Sequence, residues 1–266
     1  MLAFAANSLL CRVALGGEAI DAVSFTSLRL ASGAVVLALL HVARGGWRDW
    51  RLDVPSALAL YAYAILFSLA YLDLTAGTGA LLLFAAVQIT MLGVAIARGE
   101  RPATLAWVGL ALALVGLVWL LMPSLAMPSP RAAALMAGAG VAWGVYSPRG
   151  ARGGDPVATT TWNFAAAAVL AVAFGAALPG EPHASTRGVA AAVLSGTCAS
   201  ALGYVVWYRV LPSLSRLMAA SAQLSVPLIA ALGGALLLGE ALSLRLVTSG
   251  CLILGGIGLV ARARLR

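Results

Sequence analysis

Apolar residues fall in long blocks separated by short polar gaps, and the blocks run to about 20 residues, the length of a helix that crosses a bilayer. Ten such blocks predict ten transmembrane helices, over residues 1–15, 23–42, 55–72, 77–97, 103–122, 131–146, 156–178, 188–208, 213–238 and 243–261. The gaps carry Gly-Gly, Pro, Asp and Ser, the punctuation of helix ends, and none has room for a soluble domain. Consecutive helices are therefore expected to run antiparallel. The first block starts at Met1 without a polar lead and meets Arg12 after eleven residues. It has neither the basic leader nor the cleavage site of a signal peptide, and reads as a truncated form of a longer native helix.

Composition identifies the solvent. The chain is 62% apolar and 10% charged, against about 45–50% and about 25% in a soluble domain, and its mean hydropathy is +0.99. Too little polar surface exists to cover a core in water, so lipid covers most of the molecule. All 17 basic residues are arginine and the net charge is +8. The arginines sit in gaps between apolar blocks rather than on an aromatic-interleaved basic patch, which excludes nucleic acid as a partner. With the N-terminus placed in the cytoplasm, Arg44, Arg48, Arg51, Arg98, Arg101, Arg149, Arg152, Arg209, Arg216, Arg262, Arg264 and Arg266 fall inside. Only Arg131, Arg187 and Arg245 fall outside. That bias puts both termini on the cytoplasmic face of a bacterial-type inner membrane.

The chain also repeats itself. Asp21 aligns with Asp155 at an offset of 134, which sets Arg29 against Asn163 and Arg12 against Tyr146. At an offset of 140, Gly99-Glu100 matches Gly239-Glu240, and Gly116 matches Gly256. Each copy holds five predicted helices, an odd number, so the second must enter the membrane from the opposite face. The expected fold is an all-α integral membrane protein of ten helices in two inverted repeats, residues 1–122 and 131–262. Such repeats recur in secondary transporters, where two oppositely oriented halves can exchange conformations around a midplane cavity.

The segments "AANSLLCRVAL", "SFTSLRLASGA", "GAGVAWGVYS", "ALGYVVWYRVLPSLSR" and "AQLSVPLIAALGGALLLGE", in this order and spacing, resemble the drug/metabolite transporter superfamily, specifically its EamA-type ten-helix members. The resemblance covers essentially the whole chain. It implies an alternating-access carrier of the cytoplasmic membrane, usually an exporter of amino acids or similar small metabolites. One departure stands out: Pro227 lies thirteen residues before Glu240, whereas Val87 holds the matching place before Glu100. Pro227 removes a backbone donor in mid-helix and reads as a hinge.

Candidate chemistry is sparse. The nine carboxylates fall in gaps or at helix ends, so proton coupling through a deeply buried acid is disfavoured. Cys11, Cys198 and Cys251 lie in apolar runs without a CxxC or a nearby histidine, so no metal site is expected. No Ser-His-Asp, HExxH or Cys/His arrangement suggests an enzyme, and no cofactor is implied. Arg12 and Arg29 are the charges inside blocks. Each is placed toward an outer helix end, where it snorkels or pairs with Glu18 or Asp21, or where one of the two holds a substrate carboxylate from the outer side. Asn163 then presents a neutral group at the matching position. Asn7, Gln88 and Gln223 lie at depth, and amides there serve either as glue between helices or as substrate contacts. With Trp143, Tyr146 and Tyr204 they form the expected small-molecule site. Gly99, Glu100, Gly239 and Glu240 read as turn and gating elements: each glycine ends one helix, and each acid lies near the positive end of the next. A membrane scaffold or sensor subunit without transport activity is the alternative, and it requires no polar cavity between the halves. Oligomeric state is left open.

Overall fold

A computed structural model describes residues 1–45, 52–97, 99, 103–121, 128–150, 155–177, 182–213 and 216–263. Among them the fold is all-helical, with one isolated bridge between Ile20 and Ala184. In chain order the helices are α1 (Leu2–Leu15), α2 (Ala22–Ala43), α3 (Val54–Ala70), α4 (Ala76–Ala97), α5 (Thr104–Leu121) and α6 (Pro130–Gly150). They are followed by α7 (Pro156–Ala177), α8 (Thr186–Leu194), α9 (Gly203–Val210), α10 (Arg216–Leu238) and α11 (Leu244–Arg262). A π-helical stretch, Ser195–Leu202, joins α8 to α9. The rod Thr186–Val210 therefore stands where one helix was expected, and the described chain forms ten rods.

The starts and stops follow local chemistry. Asp21, Asp53, Ser185 and Ser243 cap α2, α3, α8 and α11 by accepting backbone N–H bonds from Ser24, Ser56, Gly188 and Leu246. Gly99 and Gly239 close α4 and α10 at φ +83° and +66°, a conformation that glycine adopts without a Cβ penalty. Three helices, Ala22–Ala43, Val157–Ala177 and Thr186–Val210, are long and apolar enough by themselves to cross a membrane. Apolar stretches of 10–17 residues occur in α1, α3, α4, α5, α10 and α11.

Large apolar side chains cover the outside. Val35, Leu39, Val115, Val118, Val169 and Leu232 are exposed, and Leu236 reaches 83%. A bundle with that much uncovered apolar surface would aggregate in water, and lipid is the solvent that accommodates it. Inside, α5 lies along α11, α2 along α7 and α4 along α10. Around these pairs, α6 packs on α3 and α4, while α1 packs on the Thr186–Val210 rod and on α10. The α5–α11 seam closes because Gly109 and Gly256 face one another: a Cβ on either would strike the other's carbonyl oxygen.

Candidate functional site

Arg29 lies at the centre. Seven residues of helix separate it from the start of α2, about 10 Å, and it is only 1% exposed. Its Nε donates to Ser200 Oγ at 3.1 Å and its Nη2 to Tyr63 OH at 3.4 Å. The guanidinium carbon stands 5.3 Å from the ring centres of both Tyr63 and Phe67. Nη1 has no hydrogen-bond partner. Among the described residues no carboxylate pairs with it.

The backbone of the Thr186–Val210 rod explains part of this geometry. In an α-helix, residues five apart point about 140° from one another. The i→i+5 bonding of the π stretch stacks them instead, so Ser195 and Ser200 both turn inward. Ser195 Oγ donates to Asn7 Oδ1 at 2.6 Å, and Asn7 Nδ2 reaches Tyr63 OH at 3.4 Å. Tyr63 oxygen accepts from both Asn7 and Arg29, leaving its own O–H to donate. The stretch sits tightly on α2, since a Cβ at Gly196 would collide with the Arg29 carbonyl oxygen and Ser32 Oγ.

An aromatic wall faces this polar ring. Trp143 lies 5.1 Å from Tyr63, 5.6 Å from Tyr146 and 4.9 Å from Tyr204 by ring centres. Asn7, Ser8, Tyr63, Phe67, Trp143 and Tyr204 are among the residues around a space of about 20 Å³, which is room for about one water. No solute fits in that space. The Tyr204 hydroxyl at its wall, and farther out the Tyr146 and Tyr208 hydroxyls and Asn163 Oδ1, are buried without a partner. Such groups each cost about 1–3 kcal/mol when left unpaired.

The structure thus gathers Asn7, Trp143, Tyr146 and Tyr204 from the expected set. Gln88 is half-buried on α4 and Gln223 is buried on α10, and neither lines the chamber. Tyr63, Ser195 and Ser200 are additions. A tyrosine in mid-block and two serines five residues apart are the available signals, but α-helical spacing separates the serines.

Arg12 does other work. Its Nε bonds Glu240 Oε1 at 3.2 Å, and its Nη1 donates to the Tyr71 and Leu72 carbonyls at 3.3 and 3.2 Å. Glu240 Oε2 in turn accepts the Ala76 N–H at 2.9 Å. Neither Glu18 nor Asp21 is its partner, because Asp21 is occupied in capping its own helix. Nor does Glu240 serve the helix that follows it, which Ser243 caps; it sits at the positive end of α4. Its counterpart Glu100 lies outside the described residues. The expected snorkelling of Arg29, or its pairing with Glu18 or Asp21, is also corrected, since the side chain is 1% exposed and is met by Tyr63 and Ser200.

A second ion pair closes the other end of α3. Arg149 Nη2 bonds Asp53 Oδ1 at 3.0 Å, and its Nε bonds Asp53 Oδ2 and Ser56 Oγ at 3.2 and 3.0 Å. The two ties are one helix of 17 residues apart, about 25 Å. The Arg149 hydrogen bond holds the Asp53 carboxyl below its ordinary value of 3.8. A carboxylate depressed in the folded state contributes stability above its unfolded pKa, and loses it as pH falls through the folded one. Wild type is therefore expected to melt above Arg149→Gln at neutral pH, with the gap closing below pH 3.8. A gap that persists in acid, followed by scanning fluorimetry in detergent, contradicts the assignment.

A small, largely aromatic chamber beside buried polar groups, within an apolar-surfaced helical bundle, defines the class: a multi-pass membrane protein. A solved crystal structure superposes with a TM-score of 0.70 over 98% of this chain and 97% of its own, at 20% identity, a likeness of fold alone. The EamA-like transporter family pattern matches residues 130–262. The chain is 30% identical to the threonine/homoserine exporter RhtA of Salmonella typhimurium, over 84% of this chain and 76% of that one. The Escherichia coli RhtA is 28% identical over 90% of this chain and 82% of its own. An uncharacterized protein of Pseudomonas aeruginosa is 52% identical across 100% of this chain and 93% of its own. The chain belongs to the EamA-like transporter family, within the drug/metabolite transporter superfamily.

Proposed function

We propose that the protein is an alternating-access carrier that exports amino acids or similar small metabolites across the cytoplasmic membrane, with both termini cytoplasmic. The observation that carries this is the small chamber within the bundle, with Arg29 Nη1 and the Tyr204 hydroxyl buried beside it and unsatisfied. A scaffold gains nothing from that cost, whereas a solute that enters on opening supplies the missing bonds. The packing also favours two related halves, residues 1–122 and 131–262. Exchanging α1–α5 with α6, α7, the Thr186–Val210 rod, α10 and α11 carries the α3–α6 contact onto the rod–α1 contact. The same exchange carries α4–α6 onto α10–α1, and α2–rod onto α7–α3. Five rods per half make the second half inverted. The family membership and the export role named for the RhtA relatives agree with this reading.

On this reading ten rods span the membrane, and with both termini cytoplasmic the Arg12–Glu240 tie lies at the outer end and the Arg149–Asp53 tie at the inner end. Pro227 stays within a continuous α10 and is buried, so the proposed hinge bends during the cycle. The test is flux of an amino-acid panel, including threonine and homoserine, from proteoliposomes. The expected result is saturable flux of at least one solute, slowed in Pro227→Ala with insertion intact. No flux for any solute returns the protein to the scaffold reading.

A further inference from the structure

We infer that Arg29 is the recognition point for a carboxylate on the transported solute, so that the substrate class is small molecules with a free carboxylate. This rests on the carrier reading above and assigns its substrate chemistry. Guanidinium remains charged in any protein setting, and a charge so deeply buried requires an anion or a full set of hydrogen bonds. The groups that meet Arg29 are neutral: Ser200, Tyr63 and the faces of Tyr63 and Phe67.

The described acids are committed elsewhere. Asp21 and Asp155 cap helices, Asp53 holds Arg149, Glu240 holds Arg12 and Ala76, and Glu18 and Asp73 are exposed. What remains is a half-used fork. The Ser200 bond fixes Nε and the two rings fix the plane, while Nη1 has no partner and Nη2 only a 3.4 Å contact. Two parallel N–H bonds to a carboxylate are what that Nη edge is built to make. Tyr63 O–H is an adjacent third donor. At about 20 Å³ the chamber is closed to any such solute, so the carboxylate enters when one end opens. Binding then neutralises the charge buried beside the chamber, and the loaded carrier closes more readily than the empty one.

The test uses the purified full chain as wild type, Arg29→Gln and Arg29→Lys. Thermal stability in detergent and proteoliposome flux are read for the L-amino acids and homoserine, each beside its carboxamide, with a separate chloride titration. At least one carboxylate is expected to stabilise and cross, with its amide weaker by about tenfold or more, the range of a charge-assisted hydrogen bond. Arg29→Gln should lose that preference and Arg29→Lys retain part of it. Should Arg29→Gln fail to fold, the wild-type comparison of acid with amide still decides. Amides that serve as well as acids, a preference that survives Arg29→Gln, or stabilisation by chloride alone overturns the assignment while leaving transport in place. If no solute in either panel shifts stability or crosses, the carrier reading falls with it.

Discussion

Gly196→Val should abolish transport and lower the melting temperature more than other substitutions of small residues in the bundle. The added Cβ would strike the Arg29 carbonyl oxygen, which is helix backbone and cannot rotate away, together with Ser32 Oγ. Overpacking of this kind costs about 1–3 kcal/mol where side chains can yield, and a backbone obstacle puts this site at the upper end. The π stretch must then leave α2. That breaks the 3.1 Å bond from Arg29 to Ser200 and shifts Ser195 from Asn7. Gly93→Val is the control, since nothing lies within 4 Å of its added Cβ. Equal melting temperatures and equal flux for the two variants would contradict the close approach.

Glu240→Ala should cause the other large loss. Its carboxylate is 12% exposed and joins three elements at once: Arg12 of α1, the N–H of Ala76 at the start of α4, and the end of α10. Removing one partner of a buried pair costs about 3–5 kcal/mol. Arg12 is 25% exposed and keeps two carbonyl contacts, which brings the expected loss to about 1–3 kcal/mol. Glu240→Gln separates the parts, because an amide oxygen can still accept from Ala76 while the charge pairing is gone. A double-mutant cycle with Arg12→Met should give a coupling of at least about 0.5 kcal/mol; additive losses would mean the pair contributes nothing.

Much of this was legible along the chain because apolar blocks and helix caps are local. Asp21, Asp53 and Ser243 act where their types and positions suggest, and Gly99 and Gly239 take the left-handed conformation expected of them. The aromatic wall of Trp143, Tyr146 and Tyr204 was also visible, since bulky polar aromatics in mid-block have few places to go but inward. What escaped depends on backbone that departs from the α-helix or on partners remote in sequence. Ser195 and Ser200 share a face only because the rod turns π-helical between them. Glu240 reaches Arg12 across 228 residues, and no local rule assigns an acid to cap a helix 164 residues earlier.

Arg29 is the instructive miss. Counted along α2 it stands near one end, where a long side chain could snorkel to water. Buried against Tyr63, Phe67 and Ser200 it has no such route, because α3 and the π stretch close over it. Depth in a bundle is set by which neighbours cover a residue as much as by its count from the helix start.

The central claim, that this chamber opens in turn to each side of the membrane, is tested most directly by side-specific labelling of Ser200→Cys. Cys11, Cys198 and Cys251 are first replaced by alanine, and membrane-impermeant thiol reagent is applied to oriented vesicles from outside or from within. Modification from both faces, slowed by a transported amino acid, is the expected result. Modification from one face alone, or from neither, would contradict alternating access at Arg29.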